Sequence, residues 1–88
     1  MHEFSLLKDL LRKIDRVRAE QQAGKVVSVT VRLGALAHIS ASHFREHFDE
    51  AVRGTPLSGA RLEVIESKDE SDPRAQEILL ESVEVEDA

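Results

Sequence analysis

The sequence predicts an α+β fold in which two helices pack on one face of a three-stranded mixed sheet, as a two-layer sandwich. Two observations predict it. Apolar residues recur every three or four positions in two segments and at every second position in three others, in the order helix, strand, helix, strand, strand. The length of 88 residues supports one domain, residues 1–88, with a modest and mainly aliphatic core.

Two segments show the periodicity of amphipathic helices. The first helix is predicted over residues 4–22, with Ser5 as its N-cap and Gly24 at its C-terminal cap. The second helix is predicted over residues 41–53, with Ser40 as its N-cap. The apolar stripes of the two helices are Leu7, Leu10, Leu11, Ile14 and Val17, and Phe44, Phe48, Ala51 and Val52.

Three segments alternate between apolar and polar residues, as half-buried strands do. They cover residues 25–33, 61–66 and 78–86. The first two strands are predicted to pair in parallel through a crossover helix, and the last two to pair antiparallel across the polar loop between them. The face of the first strand predicted to be buried carries Val27, Val29, Val31 and Leu33.

The composition excludes several classes of function. The chain has no cysteine, so it has no disulfide framework, no cysteine nucleophile and no cysteine-based zinc site. A net charge of −5, with no basic stripe, argues against nucleic acid as a partner. No membrane span or secretory signal is visible, so we expect a cytoplasmic protein without a membrane partner. The small core leaves a homodimer open as a source of further burial.

The motif Met1-His2-Glu3 is the most informative short segment. The α-amine of Met1, the backbone amide nitrogen of His2 and the Nδ1 atom of His2 would close a five-membered and a six-membered chelate ring on one metal ion. A flat set of nitrogen donors favours Ni(II) or Cu(II) over Zn(II). The amide nitrogen of Glu3, or a donor from elsewhere, would complete the coordination. By itself, the motif is better explained as a poorly ordered terminus with a chance histidine.

Six segments, taken in this order, carry a resemblance to a known family: Met1-His2-Glu3-Phe4-Ser5-Leu6, Val29-Thr30-Val31-Arg32-Leu33-Gly34-Ala35-Leu36, Phe48-Asp49, Arg53-Gly54-Thr55, Gly59-Ala60-Arg61-Leu62-Glu63-Val64 and Leu80-Glu81-Ser82-Val83-Glu84-Val85-Glu86. Together with the order of the elements, they resemble the HypA/HybF family of hydrogenase nickel-incorporation proteins. The resemblance covers about residues 1–67 and 77–87.

The resemblance implies a nickel metallochaperone, not an enzyme. It implies that Met1, His2 and Glu3 bind Ni(II), which is delivered during maturation of a [NiFe]-hydrogenase. The implied partners are a HypB-type GTPase and the hydrogenase large subunit. Family members carry a zinc module of two Cys-x-x-Cys pairs before the last strand, whereas this chain has residues 67–76 at that place, so no zinc is expected. A natural paralogue and an engineered deletion both fit this difference.

Several alternatives stay open on the sequence alone. His43 and His47 lie four residues apart on the second predicted helix, a spacing that suits either a metal site or, for His47, a place in the core. His38 is a candidate for a remote nickel ligand. The alternative function is a metal-free adaptor that docks on hydrogenase maturation partners through its first helix. The basic residues on the outer side of that helix are Lys8, Arg12, Lys13 and Arg16.

Overall fold

A computed structural model describes the backbone of residues 2–22 and 24–86, and the side chains of residues 7–22 and 24–86. Two helices cover one face of a three-stranded mixed sheet, which confirms the predicted fold class. Within the described ranges, no helix has the length and apolar character needed to cross a membrane. The elements, in chain order, are α1 (His2–Glu20), β1 (Val26–Leu33), α2 (Ala41–Ala51), β2 (Arg61–Glu66) and β3 (Ile78–Val85).

The strand order is β2-β1-β3, so β1 is the central strand. β1 pairs in parallel with β2, as predicted. The prediction that the last two strands pair with each other is wrong, because β3 pairs antiparallel with β1 on its other edge. Burial explains this arrangement. Val29 and Val31 are completely buried and Leu33 is 2% exposed, and a strand this apolar is best placed where neighbours cover both of its edges.

The first residues of β1 do not follow the predicted alternation. Val26 is only 1% exposed, whereas Val27, predicted to be buried, is 48% exposed. The pairing between β1 and β3 shifts register between Val26 and Ser28, which marks a β-bulge or similar irregularity. An irregularity of this kind reverses the facing of the residues before it, so Val26 takes the buried place expected of Val27.

α1 begins at His2, before the predicted cap at Ser5, and ends at Glu20. Its predicted stripe packs into the core, with Leu7, Leu10 and Ile14 buried. The left-handed conformation that often ends a helix falls on Gln22, with φ of 55°, and not on the predicted Gly24. The helix ends at Glu20, so the turn that follows it forms at Gln22, before the chain reaches Gly24.

α2 begins at its predicted N-cap. The hydroxyl of Ser40 accepts a hydrogen bond from the backbone N–H of His43 at 3.2 Å. Phe44 and Phe48 are buried with ring centroids 6.2 Å apart, and Val52 caps the C-terminal end. Ala51, predicted on the same stripe, is exposed at the last position of the helix.

Two side chains join α2 to β2. The carboxylate of Glu66, at the end of β2, accepts a hydrogen bond from the backbone N–H of Ala41 at 3.1 Å. Arg45 donates from its guanidinium to the carbonyl oxygen of Leu62 at 2.7 Å. The Glu66 contact also places a carboxylate at the N-terminus of α2, where the helix dipole favours negative charge. The orientation of α2 on the sheet is therefore fixed at two points in addition to its aromatic core contacts.

The segment between β2 and β3 is a connection across the end of β1, not a hairpin. The N–H of Ser67 donates to the Leu33 carbonyl at 2.9 Å, and the N–H of Gly34 donates to the Glu77 carbonyl at 2.9 Å. The N–H of Leu36 donates to the carbonyl of Ala75, and Ala75 is a buried residue. These contacts fasten the connection to the residues that leave β1.

A tight turn shapes the middle of this connection. Asp69 accepts hydrogen bonds from both the hydroxyl and the backbone N–H of Ser71. These two bonds lower the pKa of the Asp69 carboxyl below its ordinary value. Asp72 forms a similar turn by accepting from the backbone N–H of Arg74. Aspartate side chains that bond to the backbone two residues further on are characteristic of such turns.

The close approach of Gly34 to Ala75 gives the first prediction. A Cβ atom at position 34 would collide with the carbonyl oxygen of Ala75, which is backbone and cannot move aside cheaply. We expect Gly34→Ala to lower the free energy of unfolding by about 1–3 kcal/mol in urea denaturation. Gly24→Ala is the matched control, since a Cβ there meets nothing within 4 Å. Equal stabilities for the two variants would show that the connection is not held against β1.

Candidate metal-binding site

The candidate nickel ligands lie at the beginning of α1. Met1 and the side chains of His2 and Glu3 lie outside the described residues, so the structure does not test their arrangement. The backbone of α1 starts at His2. The first four N–H groups of an α-helix have no partner within the helix, and those of His2 and Glu3 belong to this set. A metal ion that binds these amide nitrogens would therefore break no hydrogen bond within the helix.

The remainder of α1 holds this end of the helix in place. Leu7 is 5% exposed, Leu10 is 3% exposed and Ile14 is fully buried. Leu7 follows His2 by five residues, or about 7.5 Å along a helix axis. Residues 2 and 3 thus lie at the end of a helix that the core fixes from its second turn onward.

A groove of about 430 Å³ lies between α1 and α2. Its walls combine apolar side chains with an imidazole, a carboxylate and an ammonium group, so it can contact both apolar and charged partners. The titratable groups of α2 that line it are His47 and Glu50, and that of α1 is Lys8. The full lining is Leu7, Lys8, Leu11, His47, Glu50 and Ala51.

His43 and His47 face each other on α2. Their Nε2 atoms are 2.9 Å apart, their ring centroids are 4.6 Å apart, and the rings are inclined by 41°. His43 is exposed and His47 is half-buried. The prediction from spacing that these two imidazoles share one helical face is confirmed. His47 is also half-buried and lines the groove. A partly buried position and a shared face with His43 are therefore compatible for this residue.

His38 does not join this pair. It is exposed, in the connection between β1 and α2, with a positive φ of 61°. Among the side chains of residues 7–22 and 24–86, no three or more His, Asp or Glu groups come together in a way that could hold a metal ion. The described residues therefore offer a histidine pair but no complete cage, and His38 as a nickel ligand stays a prediction.

The basic residues of α1 lie on its outer side, as predicted: Lys8, Arg12, Lys13 and Arg16 are all exposed. Arg12 has an ion pair with Asp9 at 3.5 Å, and the two side chains are 72% and 63% exposed. An ion pair this exposed contributes at most about 1 kcal/mol, because water screens it. A negatively charged partner could therefore replace Asp9 at small cost.

Sequence comparison gives a family match over most of the chain. A family model described as "Hydrogenase/urease nickel incorporation, metallochaperone, hypA" matches residues 1–72. The hydrogenase maturation factor HypA of Methylocella silvestris is 38% identical over 64 residues, which are 73% of this chain and 57% of that protein. HypA of Archaeoglobus fulgidus is 39% identical over 64 residues, or 73% and 58% of the two chains. The matched part thus spans somewhat more than half the length of these relatives.

Structural comparison gives the same fold. The solution structure of the Ni metallochaperone HypA from Helicobacter pylori superposes with a TM-score of 0.80 at 18% identity, covering 98% of each chain. A second solution structure of a HypA protein has a TM-score of 0.72 at 21% identity, covering 97% of this chain and 96% of the other. At these identities the likeness concerns the fold. The matched family description is of a metallochaperone and not of an enzyme, in agreement with the prediction from sequence.

Proposed function

The chain belongs to the HypA family of nickel-incorporation metallochaperones, and from this premise we propose that it binds one Ni(II) ion at its N-terminus and delivers it during maturation of a [NiFe]-hydrogenase. The observation that carries the proposal is the motif Met1-His2-Glu3 at the start of the region that the family model matches. The relatives are named hydrogenase maturation factors, and one protein of the same fold is described as a Ni metallochaperone.

The chemistry of the donors supports nickel. The α-amine of Met1, the amide nitrogen of His2 and the imidazole of His2 form a nitrogen-rich set, which suits square-planar Ni(II) or Cu(II). The backbone of α1 supports the same assignment, because the N–H groups of His2 and Glu3 donate no hydrogen bond within the helix. A flat site at a chain terminus also suits delivery, since a receiving ligand can approach the ion from either side of the plane.

The partners we propose are a HypB-type GTPase and the hydrogenase large subunit. The exposed basic side of α1 supports a role in docking, because charges that are not committed to strong internal pairs remain available to an acidic partner surface. The same helix carries the proposed nickel ligands at its first residues. Docking along α1 would therefore bring the nickel site close to the receiving protein.

The prediction for nickel concerns His2. His2→Ala removes the imidazole, and with it the six-membered chelate ring, so we expect the high-affinity binding of Ni(II) to be lost in a calorimetric titration near pH 7.5. The free energy of unfolding should change by less than about 0.5 kcal/mol, because the residue precedes Leu7, the first buried residue of the stripe.

Two controls sharpen this titration. One added residue before Met1 removes the α-amine chelate without touching His2, and it should weaken nickel binding as His2→Ala does. His38→Ala removes an exposed imidazole from a different part of the fold and should leave the affinity unchanged. Tight binding that survives both His2→Ala and the extension would rule out the N-terminal site and favour another nickel site, such as the His43 and His47 pair.

A second prediction concerns docking on α1. Replacing both Arg12 and Arg16 with Glu should weaken the complex with the GTPase and reduce its dependence on salt, because attraction between opposite charges is lost. The matched control is Arg53→Glu with Arg61→Glu, which changes the net charge equally at exposed positions outside α1. If both pairs of substitutions have the same effect on the dissociation constant, net charge and not α1 governs the association.

The absence of zinc stays a prediction that can be measured. The sequence has no cysteine, and residues 67–77 pack against the end of β1 through backbone hydrogen bonds. A structural zinc site would need four strong ligands, so we expect less than one equivalent of zinc after extensive chelation of the purified protein. Elemental analysis before and after chelation measures this. A full equivalent that chelation cannot remove would contradict it.

A further inference from the structure

We propose that His43 and His47 form a second divalent-metal site on α2, separate from the N-terminal site and selective for ions that accept nitrogen ligands at right angles, namely Cu(II) and Ni(II). The observation behind the proposal is the separation of 2.9 Å between the two Nε2 atoms. Both atoms thus point at the same region of space beside the helix.

The distance itself matches a particular coordination geometry. Imidazole nitrogens bind such metal ions at about 2.0–2.1 Å, so two of them at a right angle around one ion are about 2.9 Å apart. At a tetrahedral angle the same bond lengths give about 3.3–3.4 Å. The observed 2.9 Å is the length of the hydrogen bond between the two rings, and it is also compatible with neighbouring positions of a square-planar or octahedral site. Square-planar nitrogen coordination is characteristic of Cu(II) and Ni(II).

The helix holds the two imidazoles in this register. Residues four apart on an α-helix lie one above the other on the same face. α2 is fixed by the Ser40 cap, whose hydroxyl binds the backbone N–H of His43, and by the burial of Phe44 and Phe48. Little backbone conformational entropy therefore remains to be lost when a metal ion binds, and this favours chelation.

The two rings already share a hydrogen bond between their Nε2 atoms. One Nε2 carries the N–H that donates, and the other accepts with its lone pair. A metal ion that binds both Nε2 atoms needs a lone pair on each, so the donating ring would adopt the tautomer that carries its proton on Nδ1, and the ion would replace the shared hydrogen bond. The ion would lie beside the line that joins the two nitrogens, so each ring would turn until its Nε2 lone pair points at the ion.

The surroundings make this site open and exchangeable. No third His, Asp or Glu among the side chains of residues 7–22 and 24–86 completes a cage with the pair. The remaining ligands would be water or donors of another molecule. His47 also lines the groove between α1 and α2, together with the carboxylate of Glu50 and the ammonium group of Lys8. An open two-histidine site suits transient binding and not storage.

The test uses the His2→Ala protein, so that its outcome does not depend on the N-terminal site. Calorimetric titration with Cu(II) and with Ni(II) should show one equivalent bound, more weakly than the N-terminal site of the unmodified protein binds Ni(II). His43→Gln or His47→Gln in the same background should weaken this binding about tenfold or more, since a chelate becomes a single ligand. Electron paramagnetic resonance of the Cu(II) form should show two coordinated imidazoles, and one in either single variant.

Two matched controls separate a site from a general effect of histidine. His38→Gln removes an exposed imidazole elsewhere and should leave the affinity unchanged. Exchanging Ser42 and His43 keeps the composition of α2 but turns the imidazole by about 100° around the helix, and it should abolish chelation. The far-ultraviolet circular dichroism of each variant confirms that α2 has folded.

Unchanged binding in the exchanged variant, or a loss in His38→Gln equal to that in His43→Gln, would overturn the proposal. So would the absence of binding in the His2→Ala protein. That last result would leave the N-terminal nickel site intact, because the two sites are tested in different backgrounds.

Discussion

The burial of β1 in the centre of the sheet is the constraint on which the rest of the fold depends. Val29 and Val31 are inaccessible to solvent and Leu33 nearly so, which requires cover from both helices and a neighbour on each edge. β2 covers one edge in parallel and β3 the other in antiparallel orientation. Because β3 follows β2 directly along the chain, the segment between them must cross the end of β1.

This crossing explains why Gly34 and Ala75 meet. The connection crosses where the chain leaves β1, and the backbone of Ala75 lies where a side chain of residue 34 would project. The hydrogen bonds of Ser67, Gly34 and Leu36 then satisfy backbone groups that lie beyond the last paired residues of the sheet. The short connection is thus an ordered part of the fold that closes one end of the sheet.

The core takes no direct part in the chemistry. Among the residues with described side chains, no polar or charged residue is buried, and the core consists of aliphatic side chains and two phenylalanines. Its contribution to function is positional. It holds α1 in place from Leu7 onward, close to the proposed nickel ligands at the start of that helix. It also holds α2 in place, and on that helix His43 and His47 lie one turn apart on the same face. Both candidate metal sites lie on the helical layer, where ions and partner proteins can reach them.

The sequence by itself determined the number, type and order of the elements, because periods of about 3.6 and 2 residues arise within short segments. It also placed the cap of α2 at Ser40 and brought His43 and His47 to one helical face, since both depend on spacing along a single helix. Tertiary structure alone decided that β3 pairs with β1, that Val26 replaces Val27 in the core, and that the Nε2 atoms approach to 2.9 Å. Each of these outcomes depends on contacts between residues distant in sequence or on side-chain rotamers. Local periodicity contains no information about either of these factors.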